Sequence, residues 1–447
     1  MKKFTVLMLA ALLVVAFTVP ASALENIFGG YWHTRFLTQK NFDGDNTGIL
    51  DTREINTRTR LYYTAKLNDN LKLVNKFEMD TVWGNTTGAP AAGAIPVTGV
   101  SSNNFGDAGA DGVAIEIKNT YADFNVGPVN FLVGVQNFKL GRGFVVDDDA
   151  SGMKAIWKVN DGLYLPFIYK KDIEGGAGRD RNEQDIESYV FTPIIMLSKD
   201  IRLNPYVALI HSEDGRLLPG ASSGAVDNLN ATVIGLDFDA KMGAASLWLT
   251  GIMQTGGFTT EDAFLGHPKG TEIDLKGYLL AAGGKFDLGK ADIHGQVFYA
   301  TGEEDGLTDK EINAYFTTSS TTYYWAEILG GGVFDGLGGG SAAQTAPPYG
   351  CGVAPSNIMA ANLGVTVKPM DKLSITADLW YAKLAEDNAF GEDKLGTELD
   401  LRITYKLIEG LNLDIVGAYL WAGDATFADG KNDTNPIEFG TQLSLSF

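Results

Sequence analysis

Residues 435–447 read NPIEFGTQLSLSF and set a strict rule for the rest of the chain. Ile437, Phe439, Leu443, Leu445 and Phe447 alternate with Glu438, Gly440, Gln442, Ser444 and Ser446. A period of two gives a strand one face suited to an apolar medium and one suited to water. A soluble sandwich strand can carry the same pattern, so the remaining sequence has to decide between the two media. Beyond residue 24 there is no apolar run of the roughly 20 residues that a membrane helix needs. A membrane-spanning form of this chain must therefore be a closed barrel, because an open sheet edge in lipid leaves backbone groups unsatisfied.

Residues 1–23 have the anatomy of a cleaved export signal. Lys2 and Lys3 precede an apolar run from Phe4 to Val19, and Ala21-Ser22-Ala23 forms the cleavage site, so the mature chain is expected to begin near Leu24. The formal charge of −20 becomes −22 once the two leader lysines are removed. That sign argues against nucleic acid as a partner, since phosphate binding needs a basic face. It suits cation preference in a pore or simply solvated loops. The single cysteine, Cys351, excludes an intramolecular disulfide framework and a thiolate metal cage.

From residue 24 to 447 the sequence reads as one domain. Alternating stretches fall at 27–40, 53–67, 71–84, 112–126, 129–140, 151–159, 163–171, 186–197 and 201–212. They continue at 228–240, 244–256, 272–287, 291–301, 356–368, 372–385, 395–408, 411–423 and 435–447. Tight turns such as Asn160-Asp161-Gly162 and Glu409-Gly410 take turns with longer polar gaps. This reading predicts an all-β, transmembrane antiparallel barrel of about eighteen strands, sixteen being the nearest alternative, with short turns at one end and long loops at the other. Soluble sandwich strands are nearer five or six residues and lack that long/short rhythm.

A charge on the lipid face near the midplane costs roughly 2–4 kcal/mol for Arg or Lys, so parity assigns the charged face to the lumen. By that rule Arg58, Arg60, Glu78, Asp80, Glu116, Lys118, Asp274, Lys276, Asp292 and His294 line the pore. So do Asp378, Glu398, Asp400, Arg402, Lys406, Asp414 and Glu438, and a bulge in any strand would flip its members. Tyr62, Tyr63, Trp83, Tyr121, Tyr169, Trp248, Tyr299, Trp380, Tyr381, Tyr405, Tyr419 and Trp421 are expected at strand ends or facing outward, as interfacial girdles.

Gap 302–355 is the longest, and a loop of that length is usually functional or disordered. Folding into the pore as a constriction is the functional reading, and a surface flap is the alternative. Asp43-Gly44-Asp45-Asn46 and the Asp147–Asp149 run read as solvated acidic loops, with divalent cations bridging lipopolysaccharide as the sharper alternative. His33, His211, His267 and His294 are not paired at ligand spacing, and no G-x-S-x-G or haem-attachment motif occurs. No catalytic residue, metal or cofactor is therefore assigned.

The export signal, the alternating strands, the GGYWHTRFLTQKNF opening, the LGTELDLRITYKLIEGLNLDIVGAYLWAGDA hairpin and the SLSF ending together resemble bacterial outer-membrane porins. More narrowly they look like delta-proteobacterial porin-like barrels, and the hairpin is also similar to the carboxy-terminal part of alginate-export-like barrels. The closing strands of such barrels typically end on Phe or Trp, as here. The resemblance implies an outer-membrane location and a passive channel for small hydrophilic solutes or ions, with no cofactor and no enzymatic activity. It also implies outer-membrane lipid, lipopolysaccharide and the barrel-assembly machinery as partners, and a homotrimer if this is a general porin. Substrate-specific export or uptake of a saccharide or polyanion is the first alternative. A structural barrel sheathing an electron-transfer protein is the second.

Overall fold

The computed structural model describes residues 24–42, 51–84, 115–173, 185–212, 226–261, 267–303, 309–318, 323–334, 354–427 and 434–447. The expected export signal, the Asp43–Asn46 stretch and Cys351 lie outside the described residues.

Among the described residues, eighteen antiparallel wall strands form one closed sheet. The first nine are β1 (Glu25–Lys40), β2 (Thr52–Asn68), β3 (Leu71–Val82), β4 (Glu116–Val126), β5 (Val129–Leu140), β6 (Val146–Asn160), β7 (Leu163–Ile173), β8 (Ile186–Phe191 and Ile194–Ser198) and β9 (Ile201–Ser212). The others are β10 (Val226–Met242), β11 (Ala245–Thr260), β12 (Glu272–Leu275 and Tyr278–Asp287), β13 (Ala291–Ala300), β14 (Ile358–Met370), β15 (Leu373–Leu384), β16 (Lys394–Ile408), β17 (Leu411–Ala422) and β18 (Ile437–Ser446). Two strands are interrupted. In β8, Pro193 has no N–H to give, and the Asn204 side chain donates to the freed carbonyls of Thr192 and Pro193. In β12, the register continues through Gly277, whose carbonyl accepts from Gln254.

Closure is made by β1. It pairs with β2 on one side and with β18 on the other, from Tyr31↔Ser446 to Lys40↔Ile437. Gly30 and Phe447 exchange backbone hydrogen bonds at 2.9 and 3.2 Å, so the wall has no free edge at that seam. The sequence expectation of a closed antiparallel barrel of about eighteen strands is therefore met. Leu61, Leu236, Leu280, Leu363, Leu399 and Phe439 stand exposed on the outer face, which forms the apolar belt that alternation predicts.

Alternation fails in one region, and the failure shapes the lumen. Toward the long-loop end of β9 to β17 the inner face is apolar too: Ala208, Ile210, Val233, Ile273, Leu279, Phe298, Ile358, Trp380 and Leu420 are all buried. They pack around Phe144, Tyr315, Trp325, Ile328 and Leu329, which come from connections folded into the barrel. Fully burying one such side chain contributes roughly 1.5–3 kcal/mol, so this interior core fixes the connections firmly.

Candidate functional site

The first connection folded inward is the tip of the β5–β6 hairpin. β5 pairs with β6 up to Leu140↔Val146, but its pairing with β4 stops at Val135, and β6 pairs with β7 only from Ser151. The tip thus leaves the wall and crosses the lumen. Its turn has Gly141, Arg142 and Gly143 at φ of 58°, 58° and 101°, values glycine adopts freely and arginine does not. Across the lumen Arg142 donates to Asp239 (2.6 Å), to the Phe238 carbonyl (3.1 Å) and to Thr250 (3.0 Å), and it lies over the Trp248 ring. Asp147, Asp148 and Asp149, expected in a solvated gap, are strand residues of this hairpin and line the lumen.

Opposite them stand the cations of β1 to β4. Arg58 makes a bidentate pair with Asp80 (2.8 and 2.6 Å), and Arg60 pairs with Glu78. Both pairs join residues directly opposite in register, so strand pairing itself sets them. A bulge in β4 turns Lys118 as well as Asn119 inward; Lys118 lies 3.4 Å from Asp149, and Asn119 donates to the same carboxylate at 2.8 Å. The result is a cavity of about 1090 Å³ with Arg35, Arg58, Arg60, Lys76 and Lys118 facing Asp147–Asp149. A second cavity of about 540 Å³ shares Asp148 and Asp149 and runs on to Lys170, Lys171 and Asp172 near the long-loop end.

The second inward connection is the segment Tyr323–Phe334 of the 302–355 gap. Tyr323 stacks on Phe144, with ring centroids 3.9 Å apart, and donates to Gln296 at 2.6 Å. Trp325 packs edge-to-face on Trp380. The N–H groups of Ile328 and Leu329 donate to Glu398 at 2.6 and 2.9 Å, and that of Glu327 donates to Asp400 at 3.3 Å. Glu327 in turn accepts from the Val333 N–H at 2.7 Å. Burial, with Glu398 nearby, pushes the Glu327 carboxyl up to about 7 even though the Val333 N–H pulls it down. Phe334 lies on Gly440, where a Cβ would sit 2.5 Å from its ring. Of the two readings of this gap, the described part has the inward one. A third cavity, of about 470 Å³, lies between this segment and the wall of β11 to β16.

The other residues assigned to the lumen by parity fall as follows. Asp292, His294 and Asp378 form one inner network, with His294 2.9 Å from Asp292 and 3.0 Å from Asp378, and Lys285 2.7 Å from Asp292. Arg402 pairs with Asp414 at 3.0 Å, and Glu438 accepts from Gln39 at 3.3 Å. Glu116 is the cross-strand partner of Glu78, and Lys406 lies toward the short-turn end, 3.5 Å from Glu409. Asp274 and Lys276 are corrections. They are exposed on the outer face, in line with Tyr278 and Leu280, while Ile273 and Leu275 are buried inward. There the two-residue strand Glu311–Ile312 pairs edge to edge with Glu272–Leu275, so Ile312 joins Ile273 and Leu275 in the interior core while Lys276 pairs with Glu311 on the exposed side.

The girdle assignment also needs correcting at Tyr62, Trp248 and Trp380. Tyr62 lines the cavity of about 1090 Å³, Trp248 carries Arg142, and Trp380 belongs to the interior core. Sequence reading missed Arg35, Lys76 and Lys170, which strand parity could have found, and Lys171, which parity places on the opposite face from Lys170. It also missed Arg142 and Glu327, which lie in connections with no period to read. Among the described residues, no group of three or more His, Cys, Asp or Glu side chains is placed to hold a metal ion.

No protein-family model and no curated protein matches the sequence. Solved structures do match in fold. Acinetobacter baumannii OccAB1 superposes with a TM-score of 0.56 at 11% identity, covering 94% of this chain and 96% of that one. Pseudomonas aeruginosa OccK8 (OprE) gives 0.56 at 12%, covering 95% and 98%. Pseudomonas aeruginosa OpdK, solved with vanillate, gives 0.54 at 9%, covering 95% and 98%. At these identities the likeness is one of fold.

Proposed function

We propose that this protein is an outer-membrane channel through which small hydrophilic solutes or ions diffuse passively. The observation that carries the reading is the charged passage inside a closed, apolar-belted barrel, with a guanidinium and ammonium wall facing the carboxylates of an inward-folded hairpin. Such opposed arrays create a transverse field that orients dipolar solutes and ordered water without any bond being made or broken. The side chains lining the cavity between this wall and the hairpin include five cations and four carboxylates, so the near balance favours weak ion selectivity over a dedicated polyanion path. No catalytic step enters the reading.

The belt fits outer-membrane lipid and lipopolysaccharide, insertion is expected to need the barrel-assembly machinery, and a homotrimer is the assembly to test for. Substrate-specific passage is the second reading. It is favoured by the narrowing that the two inward connections impose, and OpdK, which shares the fold, was solved with vanillate.

In planar bilayers the purified protein should give stepwise conductance, with a reversal potential close to zero in a KCl gradient. Absence of any conductance from folded protein would overturn the channel reading. Block by one carboxylate or saccharide, with little general conductance, would favour the second reading.

A further inference from the structure

The Tyr323–Phe334 segment is held in the lumen largely by carboxyl groups. Glu398 and Asp400 take its backbone N–H groups, and Glu327 folds back onto its own loop. Glu438 lies close enough to feel both Glu327 and Glu398. All four carboxyls are buried, and Asp400 Oδ1 and Glu438 Oε1 have no hydrogen-bond partner. The cations within reach do not match them in number. Arg35 of β1 donates at 3.5 Å to the Val333 carbonyl, and Arg402 of β16 is engaged by Asp414 of β17. Lys285 of β12 and His294 of β13 are already set against Asp292, while Asp378 of β15 adds a further negative charge. Burial and repulsion from these neighbours both disfavour charge on Glu327, the carboxyl that the segment itself carries.

We propose that this segment is a proton-operated latch, which lies across the lumen while the Glu327 carboxyl among these groups holds its proton and lets go as it ionises. The channel would then narrow in acid and widen toward neutral pH. The inference rests on the channel reading for its consequence but not for its mechanism. The sign follows from Glu327, whose carboxyl is raised to about 7 when docked and returns toward the ordinary carboxylate range when released. Docking support is complete below the released value and is lost as pH climbs to the docked one. One proton linked in this way changes the docking equilibrium by up to tenfold per pH unit inside that window.

The test uses the full-length protein in lipid, with hydrogen exchange at the Ile328, Leu329 and Val333 amides corrected for the intrinsic pH dependence of exchange. Protection in the wild type should fall by about tenfold or more between about pH 5 and pH 7. E327Q keeps an acceptor for Val333 and should hold protection high and nearly flat, and D400N serves as a second variant should E327Q fail to fold. Flat wild-type protection overturns the latch, as does a fall that survives unchanged in both variants. Conductance measured on the same samples separates the two readings. A pH-dependent fall in protection without conductance keeps the latch and removes the channel, whereas conductance with flat protection does the reverse.

Discussion

Arg142 is the pin that holds the β5–β6 tip across the lumen, and removing it makes a quantitative test. Its guanidinium makes charge-assisted bonds to Asp239 and Phe238, a bond to Thr250, and a stacking contact with Trp248, with only 19% of the side chain exposed. Breaking a buried charge pair costs about 3–5 kcal/mol when the partner is stranded. Asp239, however, keeps Arg202 at 2.8 Å, and Asp237 keeps Thr250 at 2.7 Å, so the partners are not stranded. Relief of the left-handed backbone offsets a further 1 kcal/mol or so in Arg142→Gly. A net loss of about 2–3 kcal/mol of docking should remain, which raises the undocked population by roughly 30- to 150-fold. Hydrogen exchange at the Phe144 and Val145 amides reads such rare openings directly. Those amides should exchange faster by that factor, with noisier single-channel currents. Wild-type exchange in Arg142→Gly would refute the argument that this side chain, and not the aromatic core, holds the tip.

Other consequences are as direct. Replacing both Arg58 and Arg60 with Ala removes two of the cations facing Asp147–Asp149, so reversal potentials should move toward cation selectivity, the shift being larger at low salt. Trp380→Ala empties the interior core beside Trp325 and should cost about 3–5 kcal/mol, seen as a lower temperature for loss of the compact band on semi-native gels. Gly30→Leu drives a side chain into the Phe447 ring and to within 2.7 Å of the Arg60 carbonyl, so the assembled fraction should drop sharply; normal assembly would show that the β1–β18 seam tolerates it. Gly440→Leu displaces Phe334 and also brings its Cβ to 2.7 Å from the Phe36 carbonyl of β1, so conductance should rise together with a drop in the assembled fraction.

The barrel was legible in the sequence because its cause is local. Alternation, strand length and turn residues such as Asn160 to Gly162 act within one strand or one hairpin, and they bring Arg58 to Asp80 and Arg60 to Glu78 with no knowledge of the far wall. Even the closing partner of 435–447 followed, because a barrel leaves no other strand for it than β1. What fills the barrel was decided by contacts between strands far apart around the wall. Arg142 meets Asp239 across 97 residues, and Leu329 meets Glu398 across 69, so no period in either segment announces them. The interior core likewise takes Ile273 and Leu275 inward and leaves Asp274 and Lys276 outward, since an apolar interior rewards the opposite parity from a wet one. Sequence alone thus determined a wall with a wet face and a fatty face. Only the tertiary structure decided where the wet face stops, because burial belongs to whatever packs against a side chain and not to its own strand.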